Sequence, residues 1–95
     1  MYVSRNIPVA VGTPIVVDLL GWPTPTTVTA VPGVSGSLTV EVSNTDTAVT
    51  DPAGASWFAW PSGVVTALTT NTMDSPARAM RVTATATAGR LELVA

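Results

Sequence analysis

The 95-residue sequence contains no cysteine, no histidine and no lysine. Without cysteine the chain has no disulfide bond, no thiolate nucleophile and no cysteine-ligated zinc or iron–sulfur site. Histidine is the commonest general base and the commonest metal ligand, so a Ser–His–Asp catalytic site cannot be built from these residues. We therefore expect a protein that is not an enzyme, with no catalytic residues, no metal site and no cofactor.

Charge is also scarce, because charged residues make up 11% of the sequence while 46% of residues are hydrophobic. The net charge is −2, and the four cations are arginines at positions 5, 78, 81 and 90. A nucleic-acid-binding surface needs a basic patch, so we expect no nucleic-acid partner. A surface composed largely of Thr, Ser and Ala indicates a protein whose surface is partly covered by neighbouring subunits. The alternative interpretation is a soluble domain with a threonine-rich surface.

No apolar segment reaches the roughly 20 residues of a membrane span. Pro8, Pro14, Pro23 and Pro32 interrupt the hydrophobic N-terminal half, so we expect no membrane partner. The first residues lack the charged-then-apolar order of a signal peptide, and we do not expect export by the secretory route. A chain of this length has the size of one domain, which we place at residues 1–95.

Short segments rich in Val, Ile and Thr alternate with Pro, Gly, Asn and Asp, which predicts a series of β-strands. In the clearest one, 37–43, apolar side chains at 38, 40 and 42 alternate with polar ones, as in a half-buried strand. About eight strands at regular spacing predict an all-β antiparallel β-sandwich, Ig-like or jelly-roll-like. The predicted strands are 7–11, 14–20, 26–31, 37–43, 55–60, 64–69, 78–85 and 90–94.

Two segments allow more than one interpretation. Ser75 and Pro76 form a favourable helix start, and the residues up to Arg81 favour a helix. The continuation 82–87 alternates with period two and is rich in threonine, so we predict a strand there. Residues 1–6 precede the first predicted strand, and we interpret them as an N-terminal arm.

Three tryptophans are the main candidates for contact with a partner. Trp57 and Trp60 flank Phe58, so that on a strand Phe58 and Trp60 share one face and Trp57 has the other. We expect one large aromatic side chain in the core and one near the surface, where it is available for sugar stacking or protein contact. Trp22 lies in a Pro/Gly-rich loop, either packed against the sandwich or offered to a partner. We predict Trp22 and Trp60 as interface residues.

Arg78 and Arg81 are three residues apart. A buried arginine needs a carboxylate partner, for which Asp18 and Glu41 are candidates, and the functional alternative is docking on an acidic surface. We assign Arg78 to the interface. The acidic residues are scattered singly along the sequence. Asp46 and Asp51 could share a calcium ion, but turn chemistry explains these two residues better.

An ordered series of short motifs runs from residue 36 to residue 94. It contains a Val-alternating strand, an Asn/Asp turn, a Gly before Trp57, Pro–Ser–Gly after Trp60, Ala–Met–Arg–Val at 79–82, and Gly89 before the last strand. This order resembles the small virion-associated β-sandwich proteins of tailed bacteriophages, among them head-decoration (cement) subunits and Ig-like adornments. The resemblance implies a scaffold without enzymatic residues, in which Trp57, Trp60 and Arg81 support the fold.

From this resemblance we expect a structural protein on the capsid surface of a phage virion. It would decorate and stabilise the shell as a homo-oligomer, in contact with the major capsid protein or other virion proteins. The alternative is a carbohydrate- or receptor-binding module of a phage tail or fibre, with Trp22 or Trp60 as the stacking surface.

Overall fold

A computed structural model describes residues 3–95, without the side chains of residues 61 and 62. The secondary structure consists of β1 (Ser4–Val9), β2 (Ile15–Asp18), β3 (Thr26–Val31), β4 (Ser37–Ser43), a short 3-10 helix (Pro52–Gly54), β5 (Phe58–Val65), β6 (Thr69–Met73), β7 (Ala79–Thr85) and β8 (Gly89–Val94). Among the described residues no helix has the length and apolar character needed to cross a membrane.

The strands form two four-stranded sheets, with the order β1-β8-β3-β6 in sheet A and β2-β7-β4-β5 in sheet B. All strand pairs within the sheets are antiparallel. The predicted antiparallel β-sandwich is therefore confirmed. Because β1 lies against β7 and β3 against β4, the edge strands β5 and β6 lie on the same side of the molecule.

The core lies between the sheets and follows from the alternation of side chains along each strand. On β4, Leu38, Val40 and Val42 are buried, and the residues opposite them on β7 are buried as well. Leu91 and Leu93 of β8 close the core from sheet A. Burial of each such side chain contributes about 1.5–3 kcal/mol relative to exposure, so these strands hold the two sheets together.

The N-terminal segment differs from the prediction. Residues 4–6, which we predicted as part of an arm, belong to β1, because they pair with β8 from Val94 to Glu92. The pairing extends to Val3 and Ala95, whose backbone groups exchange two hydrogen bonds of 2.8 Å. These residues are therefore an edge of sheet A and not an arm, and residues 1 and 2 of the predicted arm lie outside the described residues.

Two predicted strands in the second half are displaced along the chain. Residues 55–57 are not in a strand, because the backbone N–H of Ser56 donates to the Thr45 hydroxyl (3.1 Å) and holds this segment in the preceding loop. The predicted strand 64–69 instead holds the end of β5, a turn and the first residue of β6. The polar segment Thr69–Met73 forms a strand because it pairs with β3. The segment 79–85 is a strand, as predicted, and not a helix.

Candidate functional site

A cleft of about 320 Å³ opens between the sheets on the side where β5 and β6 form the edges. Strands β4 and β5 provide one wall, and the end of β6 with the following loop provides the other. The lining residues are Val42, Asn44, Phe58, Trp60, Thr72, Met73, Asp74, Ser75, Pro76 and Ala77.

Phe58 and Trp60 face this cleft together, as expected for residues two apart on one strand. Phe58 pairs with Val42, a core residue, so its side chain points to the inner side of sheet B. It is nevertheless 50% exposed, since β5 is an edge strand and no further strand covers it. Trp60 is half-buried and packs against the core. The cleft therefore has one exposed and one half-buried aromatic side chain on the same wall.

Polar groups surround these aromatic side chains. Asn44, Asp74 and Ser75 are exposed and line the cleft. They bring an amide, a carboxylate and a hydroxyl to the same opening. Such a combination of aromatic faces with a few hydrogen-bonding groups can bind a sugar ring or the apolar side chain of a protein partner.

The Pro–Ser–Gly motif after Trp60 forms a bulge in β5. Ala59 lies opposite Glu41 and Val64 lies opposite Thr39, so four residues of β5, 60–63, lie opposite the single residue Val40. Gly63 has a φ of +76°, a conformation that glycine adopts without steric cost. The bulge interrupts the β4–β5 ladder just beyond the side chain of Trp60.

Trp57 and Arg81 form a separate cluster on the outer face of sheet B. The Arg81 guanidinium carbon lies 4.4 Å from the centroid of the Trp57 ring, and Nε and Nη2 each lie 3.0 Å from Glu41 Oε1. The Trp57 Nε1–H donates to the Pro52 carbonyl at 2.8 Å, which ties the ring to the 3-10 helix. These contacts join the loop before β5 to β4 and β7, so both residues lie in positions suited to supporting the fold.

Arg78 also has an internal partner. Its Nη1 forms an ion pair with the Asp18 carboxylate, and its side chain is 20% exposed. Asp18 further accepts the backbone N–H of Leu20 at 2.9 Å. The Leu20 N–H and the Arg78 guanidinium both stabilise the charged carboxylate, so they hold the pKa of Asp18 below its ordinary value. Of the two carboxylates named from the sequence, Asp18 thus pairs with Arg78 and Glu41 with Arg81.

Trp22 is half-buried and packs against the core. Its Nε1–H is buried and has no hydrogen-bond partner among the described residues. The loop that carries Trp22 joins β2 to β3. Because all strands run antiparallel to their neighbours, one end of the sandwich contains this loop, the loops 44–57 and 74–78, and both ends of the described chain. We call this the loop end.

The structure brings the three predicted interface residues, Trp22, Trp60 and Arg78, to the loop end or next to it. Asn44, Phe58 and Asp74 were not predicted as site residues. Phe58 could have been predicted, because strand alternation puts it on the same face as Trp60. Asn44 and Asp74 are turn residues, and only the fold brings them to the cleft.

No protein-family model, no curated protein and no solved structure matches this chain. Within residues 3–95 no group of three or more Asp or Glu side chains could hold a metal ion.

Proposed function

We propose that this protein is a non-enzymatic structural protein of a bacteriophage particle, which decorates the capsid and stabilises the shell through protein–protein contacts. The observation that carries the proposal is the internal pairing of its charges. Three of the four arginines, Arg78, Arg81 and Arg90, form ion pairs with carboxylates of the same chain. Six of the ten charged side chains are thus paired within the chain, and Arg5, Asp46, Asp51 and Asp74 are outside these pairs among the described residues.

The surface also carries apolar side chains. Eight large apolar residues are exposed within the described part of the chain: Val3, Val11, Leu20, Val34, Phe58, Val64, Leu68 and Val94. A weakly charged surface with exposed apolar side chains suits a subunit that neighbours cover. Residues 36–94 resemble virion-associated β-sandwich proteins, so we propose a phage particle as the assembly in which such a subunit would lie.

The loop end is the part of the surface that we assign to the capsid contact. It combines three loops with Trp22, and large side chains in loops are typical anchors of protein interfaces. Arg78, which we predicted for this interface, is engaged in its ion pair with Asp18. Leu20, in the same loop as Trp22, is 75% exposed. Its side chain is therefore available to a partner without any change of the fold.

The experiment compares phage particles with and without this protein. Particles that lack it should release their DNA at a lower temperature, and purified protein added back should restore the original temperature. Leu20→Ser should weaken rebinding by about tenfold or more, because burial of a leucine at an interface contributes roughly 1.5–3 kcal/mol.

Val34→Ser is the matched control, since Val34 is 88% exposed and lies at the opposite end of the sandwich. It should rebind like the unmodified protein. Particles whose heat stability is the same with and without the protein would overturn the proposal.

The cleft favours a second candidate function, a carbohydrate- or receptor-binding module of a phage tail or fibre. Its aromatic pair, Phe58 and Trp60, lies beside Asn44 and Asp74, which matches the chemistry of a sugar ring with an apolar face and hydroxyl edges. Binding of a cell-surface polysaccharide should then shift the tryptophan fluorescence, and Trp60→Ala should abolish the shift. A glycan panel that leaves the fluorescence unchanged would count against this candidate.

A further inference from the structure

The sandwich has four edge strands, β1 and β6 in sheet A and β2 and β5 in sheet B. An exposed edge presents unpaired backbone groups, and proteins protect edges with proline, charge, bulges or short strands. Strand β1 contains Arg5 and Pro8, β2 has only four residues and ends at Asp18, and β5 is interrupted by its bulge.

Strand β6 has none of these protections. Its sequence over Thr69–Met73 is Thr–Thr–Asn–Thr–Met, without charge, proline or glycine. It pairs with β3 over residues 69–73 without a register shift. Its other side is therefore a regular strand edge, on which a further strand can form backbone hydrogen bonds.

We infer that β6 pairs with β6 of a second copy of this chain. A closed dimer with two-fold symmetry uses the same surface on both subunits. With the axis at Asn71, the strands run antiparallel, and sheet A continues into an eight-stranded sheet. The inference does not depend on the phage assignment, because it uses only the strand edges.

The side chains of β6 suit this self-pairing. Around an axis at Asn71, Thr70 lies opposite the partner's Thr72, so that no like charges meet across the axis. Pairs of threonines directly opposite each other stabilise antiparallel sheets. The structure already contains such a contact within one chain, since the Thr29 and Thr70 hydroxyls lie 3.1 Å apart.

Exposed apolar side chains flank the same edge. Leu68, directly before β6, is 65% exposed, and Phe58, in the cleft at the other end of β6, is 50% exposed. In the proposed register Leu68 lies opposite the partner's Asp74, a residue of the cleft wall. Pairing would therefore place Leu68 against the partner's β6 edge, where part of its exposed apolar surface is removed from water.

A charge exchange on β6 tests the inference. Thr70 and Thr72 are exposed and accept charged side chains without change to the core. In Thr70→Lys/Thr72→Lys the dimer would hold lysines opposite lysines, and in Thr70→Glu/Thr72→Glu it would hold glutamates opposite glutamates. Two repulsive cross-strand pairs should weaken self-association by about tenfold. An equimolar mixture of the two variants should associate again, because each lysine then meets a glutamate.

Ser4→Lys/Asn6→Lys is the matched control. These two residues are also exposed and lie two apart on an edge strand of sheet A, at the opposite edge. Analytical ultracentrifugation over a concentration series should show a dimer for the unmodified chain and for the control. Hydrogen exchange of the β6 amides should slow as the dimer forms.

An unmodified chain that stays monomeric throughout the series would overturn the inference. So would lysine and glutamate variants that dimerise as the unmodified chain does, or whose mixture stays monomeric. None of these results would change the heat-release experiment on phage particles, so failure of the dimer and failure of the proposed function are distinguishable.

Discussion

Arg81 is predicted to contribute about 1–2 kcal/mol to the free energy of unfolding through two contacts on the outer face of sheet B. Its ion pair with Glu41 is partly shielded from water, with the two side chains 26% and 24% exposed. We therefore place the pair in the upper part of the range for surface ion pairs, about 0.5–1 kcal/mol. The guanidinium at 4.4 Å from the Trp57 ring centroid adds about 0.5–1 kcal/mol as a cation–π contact.

Double-mutant cycles separate these two contributions. Arg81→Met removes the charge but keeps an unbranched apolar side chain, and it is combined with Glu41→Gln in one cycle and with Trp57→Leu in the other. Urea unfolding followed by far-UV circular dichroism gives the free energies without reliance on tryptophan emission. Each cycle should give a coupling energy of about 0.5–1 kcal/mol. Arg81→Lys should retain only part of it, because an ammonium lacks the planar guanidinium.

The pair Arg90–Glu92 is the control for this measurement. It lies on sheet A with the side chains 51% and 37% exposed, so its coupling energy should stay below about 0.5 kcal/mol. A coupling energy between Arg81 and Trp57 that does not exceed that of the control pair would refute a stabilising role for their contact.

Three further predictions concern the core, the sheet and the pH dependence. Leu38→Ala should lower the free energy of unfolding by about 2–5 kcal/mol, because Leu38 is fully buried. A loss under about 1 kcal/mol in a urea titration would contradict the burial of Leu38 in the core. Gly89→Ala should cost about 1–3 kcal/mol, since the added carbon would lie 2.6 Å from the Val31 carbonyl oxygen; an unchanged urea midpoint would exclude this close approach. The lowered pKa of Asp18 means that its stabilisation is present above the unfolded pKa of about 3.9 and is lost as the pH falls through the folded pKa. Urea titrations of the unmodified chain and of Asp18→Asn should therefore differ at pH 7 and converge in acid, and a difference independent of pH would contradict this.

Local alternation predicted much of the sandwich. The bounds of β3 and β4 agree with the prediction at both ends, because alternating apolar residues decide which face of a strand is buried. The prediction missed the strand at β6 because residues 69–72 are all Thr or Asn and show no alternation of apolar and polar side chains. Pairing with β3, about forty residues earlier in the chain, makes it a strand, and that contact leaves no local signal.

In the candidate site, too, the local sequence pattern predicted some residues, and contacts between distant segments determine the others. Alternation placed Phe58 and Trp60 on one face, as the structure has them. The opposite wall of their cleft comes from the loop 74–77, which sheet topology brings to β5. The carboxylate partners of Arg78 and Arg81 were named as a set, but the assignment of Glu41 to Arg81 follows from the β4–β7 register, in which these two residues are directly opposite.

The central claim, that this chain is a capsid-decoration protein, is tested most directly by cryo-electron microscopy of the phage particles that carry it. We expect density for the sandwich over the whole head, in a copy number that matches the capsid symmetry and with the loop end against the shell. Density confined to a tail tip or fibre would contradict this claim and would favour the receptor-binding function of the cleft.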